Sequence, residues 1–220
     1  MRRTADLLPA APEPEALTRR ERRKLEVRAR LLGAAEALFD QHGIAATKIS
    51  EICERADVAQ KTFFNHFATK QDLLRALAGS FLEELLVDVE EARKRPGSTP
   101  ERLTAFFSCI AENALRAGPM RRELLTEIIH VSQTQRSGSA NARALRDAFG
   151  ALVADGLAAG DVSRAHSRET LTDMILGAFY VLMFNWAHLE GYALRRQALA
   201  AARFLGDAMA AAPVRMRRRR

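Results

Sequence analysis

Between Lys61 and Leu74 the chain reads KTFFNHFATKQDLL. Three phenylalanines and a histidine fall within Phe63–Phe67, bracketed by Lys61 and Lys70, in a chain with only 6% aromatic residues. Rings and cations this close together serve either a hydrophobic seam or a surface that touches nucleic acid. Gln and Asn can pair bidentately with adenine, Lys can reach guanine, and a Thr methyl can meet a thymine methyl. Gln60, Lys61, Thr62, Asn65 and His66 supply polar groups of that kind. Phe63 and Phe67 are four apart, share one helix face and are assigned to the core. Other patterns that carry chemistry are missing from the sequence: there is no glycine-rich phosphate loop, no clustered set of metal ligands, no G-x-S-x-G and no H-E-x-x-H. Glu127 and His130 are three apart on an expected helix and could touch, but one such pair is a weak argument for catalysis. The chain is therefore expected not to be an enzyme and to need no cofactor.

Charge agrees with the nucleic-acid reading. The formal net charge is +7 over 220 residues, which favours an acidic partner. Nearly half the chain is apolar, enough for a sizeable core. Cys53 and Cys109 stand far apart in apolar helical patterns, so reduced, buried thiols are expected, with redox sensing as the alternative. The N-terminus lacks a signal-peptide layout, and no run of about eighteen consecutive apolar residues exists, so no membrane span and a cytoplasmic location are expected.

The elements that must position these residues are helices throughout; the fold class is all-α. No stretch alternates with period two, and no Asn-Gly or Asp-Gly hairpin occurs. Residues 1–18, with Pro9, Pro12 and Pro14, read as a disordered arm. A first helix from about Arg20 to His42 carries Leu31, Ala34, Ala35, Leu38 and Phe39 on one stripe and stops at Gly43. Thr47 is the expected cap of a short second helix ending near Asp57, and a third covers about Gln60 to His66. Thr69 with Asp72 is a capping box for a long fourth helix that Pro96-Gly97 ends. Five more are expected near Ser98–Arg116, Met120–Thr134, Asn141–Ala158, Ser167–Glu190 and Ala193–Ala211, about nine in all. Residues 212–220 form a basic tail, read as a disordered, solubilising end.

Short second and third helices joined by a tight turn make a helix-turn-helix, in which the third helix enters the DNA major groove. The stretch RARLLGAAEALFDQHGIAATKISEICERADVAQKTFFNHFATKQDLL resembles the DNA-binding domain of the TetR family of transcriptional regulators. The matching frame runs through Leu31-Leu32, Ala35, Leu38-Phe39, Gly43, Thr47, Ile49, Ile52, Ala56, Val58, Thr62, Phe64, Phe67, Lys70 and Leu73-Leu74, over about residues 27 to 75. The resemblance implies a homodimeric transcriptional repressor that leaves a palindromic, double-stranded DNA operator when a small molecule binds its second domain. By position it makes Thr47 a phosphate contact with Lys48 beside it. It makes Gln60, Lys61, Thr62 and Asn65 the base-reading or backbone-contacting set, and His66 and Lys70 phosphate contacts. Lys70 also sits in the first turn of its helix, where free N–H groups favour an anion. Three departures stand out: Asp57 replaces the usual turn glycine, Ala59 replaces a Ser or Thr cap at a cost of ~1 kcal/mol, and Phe64 replaces a tyrosine. Asp tolerates a left-handed backbone, so the turn should survive.

Residues 19–74 are thus the expected DNA-binding domain and 75–211 the effector-binding and dimerisation domain. Arginines encircle the start of the first helix, from Thr18 to Arg30, either as a solvated helix start or as a phosphate clamp or minor-groove arm. The resemblance assigns residues 168–211 to the dimer interface, with Trp186 as an interface anchor or as ordinary core. An effector site in a helical domain needs apolar walls and a few polar groups. Candidate walls are Phe106, Phe107, Ile110, Leu124, Val131, Phe179 and Met183. Asn113, Glu127, His130, Tyr180, Asn185 and His188 are the embedded polar candidates. Together they suggest a mostly apolar ligand.

Overall fold

The computed structural model describes residues 18–118, 120–124 and 140–211. Eight helices lie among them: α1 (Arg19–His42), α2 (Ile49–Arg55), α3 (Gln60–His66), α4 (Lys70–Lys94), α5 (Thr99–Arg116), α6 (Ala140–Ala159), α7 (Arg168–His188) and α8 (Leu194–Met209). Residues 120–124 are also helical, at the place expected for a further helix. The one bridge of strand type among the described residues joins Val162 to Ala210, so the fold is all-α as the periodicity indicated. The terminal arm and the arginine tail lie outside the described residues.

Local chemistry sets most of the helix ends. Thr18 and Glu21 form a capping box on α1, and Thr69 and Asp72 form one on α4. Gly43 closes α1 with φ 79°, and Gly160 follows α6 with φ 80°, conformations that glycine adopts without a Cβ penalty. The cap of α2 differs from expectation. Lys48, not Thr47, is its N-cap, with its N–H bonded to the Glu51 carboxylate at 2.8 Å. Thr47 is buried instead, and its hydroxyl donates to the Gly43 and Leu38 carbonyls at 2.9 and 3.4 Å. Those carbonyls come from the end of α1, so the side chain closes the α1–α2 loop rather than opening α2.

Two hydrophobic clusters form, and α4 passes through both. One gathers Leu31, Ala35, Leu38 and Phe39 of α1, Ile52 of α2, Phe63 of α3 and Leu73, Leu74 and Leu77 of α4. Met120 and Leu124 complete it. The other gathers Val89 and Ala92 of α4 with apolar residues of α5 to α8. Residues 118–124 are seated on the first cluster by polar ties as well. The Met120 N–H donates to Asp40 at 3.1 Å, Arg121 pairs with Glu84 at 2.7 Å and covers the Phe81 ring, and the Asp40 carboxylate leaves no room for a side chain on Gly118.

Helix α7 is long and apolar enough by composition to cross a membrane, yet Leu171, Ile175, Phe179, Leu182 and Trp186 on it are buried in the second cluster. Trp186 therefore serves the core of its own chain. At its far end, the second unit is tied together where Asp161 accepts from the Thr99 N–H at 2.6 Å and from its hydroxyl at 3.0 Å.

Candidate nucleic-acid interface

Helix α3 has two unlike faces. Phe63 is fully buried, and Phe67, just past the helix, is buried beside it with ring centroids 5.7 Å apart. Replacing a phenylalanine so placed costs about 3–5 kcal/mol, so these two rings fix the helix on α1 and α4. Gln60, Lys61, Phe64 and Asn65 are exposed, while Thr62 and His66 are half-buried. Phe64 is 51% exposed and stands edge-on to Phe63 at 5.4 Å. An apolar ring left in water next to two amides and an ammonium suits contact with a sugar-phosphate edge.

The turn before α3 has the left-handed residue that the sequence suggested: Asp57 has φ 52°. The Val58 N–H returns to the Cys53 carbonyl at 3.0 Å, which closes the turn. Ala59 is the N-cap of α3 and makes no side-chain cap bond, so N–H groups at the start of the helix have no side-chain acceptor there.

Lys70 holds the neighbouring loop. Its Nζ donates to the carbonyls of Thr47, at 2.6 Å, and Ile44, and lies 5.6 Å from the centre of the Phe39 ring. Partial burial lowers its pKa, while Glu123 and Glu51 act against that shift. An ammonium has three donors, and two are occupied here. Lys48 is exposed at the start of α2. Thr47, by contrast, has its hydroxyl proton committed inside the protein, which argues against that hydroxyl as a donor to phosphate.

His66 joins α3 to α1. Its Nδ1 is buried without a hydrogen-bond partner, and its pKa is lowered first by burial and then by the nearby charges of Lys24 and Arg28. The Arg28 guanidinium lies 4.6 Å from the centre of the Phe67 ring. A histidine in these surroundings is neutral at pH 7 and can donate through Nε2. The sequence marks His66 and the basic stretch Thr18 to Arg30 separately; that Lys24 and Arg28 of that stretch act on His66 depends on how α1 and α3 are placed.

A helix-turn-helix with one buried and one polar, cationic face is a DNA-reading element, and its sequence has known relatives. The family described as bacterial regulatory proteins, tetR family, matches residues 31–77, from the core stripe of α1 into α4. Residues 31–77 are a TetR-family DNA-binding domain. The chain is a helix-turn-helix transcriptional regulator. The chain is 26% identical to the HTH-type transcriptional repressor KstR of Mycolicibacterium smegmatis over 159 residues, which is 71% of this chain and 74% of that protein. Its fold is that of a TetR-family regulator from Pectobacterium atrosepticum, with a TM-score of 0.73 and 20% identity over 90% of this chain and all of that one. Thermus thermophilus FadR, a repressor solved with lauroyl-CoA, gives a TM-score of 0.64 and 22% identity over 86% of this chain and 97% of that one.

The residues chosen for an effector site separate into groups. Phe106, Phe107, Ile110, Phe179 and Met183 are buried together in the second cluster, where Phe106 meets Phe149 edge-on at 5.0 Å and Phe179 at 6.2 Å. Leu124 does not join them. It is buried in the first cluster with Met120, because residues 120–124 sit on α1 and α4. Glu127, His130 and Val131 lie outside the described residues. Asn113 donates to Asp88 at 3.1 Å, and the Cys109 thiol donates to the same carboxylate at 3.5 Å. Burial raises the pKa of Asp88 and of Cys109. Tyr180 is half-buried against the cluster, with its pKa raised by burial, whereas Asn185 is half-buried and His188 is exposed and stacked on Phe184. The Asp88–Cys109–Asn113 group was not legible in the sequence as a unit, because Asp88 comes from a different helix.

Proposed function

We propose that this protein is a homodimeric, cytoplasmic repressor that binds a palindromic operator through α3 and releases it when a small, mostly apolar effector binds the helical domain. Residues 19–74 are the reading domain and residues 75–211 the effector and dimerisation domain. The observation that carries this reading is the outward row Gln60, Lys61, Phe64 and Asn65 on a helix whose opposite side is anchored by Phe63 and Phe67. Gln60 and Asn65 offer bidentate amides to adenine, Lys61 reaches guanine or phosphate, and Thr62 adds a methyl. Phe64 packs on the backbone, and Lys48, His66 and the remaining donor of Lys70 take phosphates. Thr47 contributes by holding the loop.

A dimer is supported by apolar side chains left in water on the last two helices. Met174, Val181 and Phe184 line one face of α7 at 55%, 58% and 48% exposure, and Phe204 of α8 is 71% exposed. To read successive major grooves, a dimer paired through such faces has to hold its two α3 helices about one helical turn of DNA apart, ~34 Å. Selection of bound duplexes from a random pool, at one stated salt concentration, tests the whole reading. Enrichment of an inverted repeat is the expected result, and binding without enrichment overturns it.

The effector proposal rests on the aromatic wall of Phe106, Phe107 and Phe179, with Asn113 and Tyr180 as polar groups at its edge. The lauroyl-CoA bound by Thermus FadR lends it support. The close packing of Phe106, Phe107, Phe149 and Phe179 on one another favours a second reading, a DNA-binding regulator that answers to no small molecule. A thermal-shift screen with apolar compounds separates the two: a compound that raises Tm and lowers operator affinity supports an effector, and uniform silence supports the second reading.

A further inference from the structure

Helix α1 runs well past the core that it helps to build. Its buried residues are Leu31, Ala34, Ala35, Leu38 and Phe39, and among the described residues no apolar side chain before Val27 packs on the cluster. From Arg20 to Leu31 the rise is about 16 Å, so the first two turns project beyond the three-helix unit. At 100° per residue, Arg20 and Lys24 fall on the same side of α1 as Leu31, Ala35 and Leu38. The face that becomes core further along is cationic where the core has ended. Arg19 and Arg22 fall on the other side.

That cationic edge points to α3. Lys24 and Arg28 lie close enough to His66, at the end of α3, for their charges to act on it, and Arg28 covers the Phe67 ring. Arg20 and Lys24 themselves are exposed, and neither is needed for packing. The two charged groups that act on His66 from α1 are both cations, and His66 brings a donor to the same place.

We infer that Arg20, Lys24 and Arg28 continue the DNA contact of α3 outward from His66, as a track for backbone phosphates that flank each half-site. The inference rests on α3 being the reading helix. Seating α3 in the major groove lays a row of phosphates along its edge, and the projecting turns of α1 extend the cationic surface by up to about five base pairs at 3.4 Å each. These contacts add affinity and footprint, and carry no base preference.

The test compares Arg20→Ala/Lys24→Ala with Arg19→Ala/Arg22→Ala, which removes the same charge from the opposite side. Both are measured on the selected operator with long flanks and with flanks trimmed by about five base pairs, over a range of salt. Wild-type protein is expected to bind the trimmed operator more weakly. The Arg20/Lys24 variant should lose that dependence on flanks, and its log–log salt slope should fall by about 1.8 per half-site for two phosphate contacts. The Arg19/Arg22 variant should behave as wild type, and all three proteins should enrich the same repeat. Equal effects of the two variants would mean that only net charge matters, and no effect of either would place the phosphates elsewhere; both results overturn the track. Should wild-type protein enrich no repeat, the reading of α3 itself fails, which is a separate outcome.

Discussion

Replacing Lys70 by methionine tests what a single ammonium does in this domain. The substitution keeps the aliphatic stem and removes the charge. In the free protein it deletes two charge-assisted hydrogen bonds, to the Ile44 and Thr47 carbonyls, and the approach to the Phe39 ring. Hydrogen bonds to charged groups contribute about 1.5–3 kcal/mol each. Lys70 is only half-buried, so water replaces part of what is lost, and a net cost of about 2 kcal/mol is expected. In a chain of this size each kcal/mol moves Tm by about 2–4 °C, which gives a fall of about 4–8 °C without DNA. The third ammonium donor remains for a phosphate, so the salt slope of operator binding should also drop by about 0.9. Calorimetry of the free protein and titrations of operator at several salt concentrations read the two effects separately. An unchanged Tm would refute the bracing role, and an unchanged slope would refute the phosphate contact.

Three further outcomes follow from particular residues. Changing Val181 and Phe184 to Asp should leave a folded monomer by light scattering, because both side chains are already in water in the single chain; a variant that remains dimeric would move the interface off this face of α7. Asp57→Val should destabilise by about 1–2 kcal/mol, whereas Asp57→Gly should stay within about 0.5 kcal/mol as easier backbone geometry offsets greater unfolded-chain entropy; denaturant titration of the pair decides, and equal stability would show that the φ of 52° is not maintained in solution. Because the pKa of His66 is lowered on folding from an ordinary value of 6.5, the unfolded chain binds more protons just below that pH. Stability should therefore fall as pH drops through about 6.5 toward the folded value, and His66→Gln should flatten that part of the profile in urea unfolding at several pH values; an identical slope in the variant would assign the effect to another group.

Sequence alone determined what is local. Thr69 and Asp72 are three apart, which suffices for a capping box, and the resemblance, which puts a turn glycine where Asp57 stands, implied the positive φ found there. The spacing of Phe63 and Phe67 against Gln60, Lys61 and Asn65 likewise divides α3 into a buried and an exposed side. The tertiary structure decided which partner each face meets. Periodicity marks Leu124 as buried, but only the docking of residues 118–124 through Asp40 and Glu84 places it in the first cluster and not beside Phe106. Thr47 has the right type for a helix cap, yet the Gly43 carbonyl reaches its hydroxyl first. Trp186 is anchor or core by sequence, and core by packing. Lys24 and Arg28 gain their relation to His66 only because α1 and α3 lie side by side. Caps and turns are fixed by atoms within a few residues of one another, whereas a buried face is satisfied by any apolar surface of the right shape, and the choice among those surfaces belongs to the whole chain.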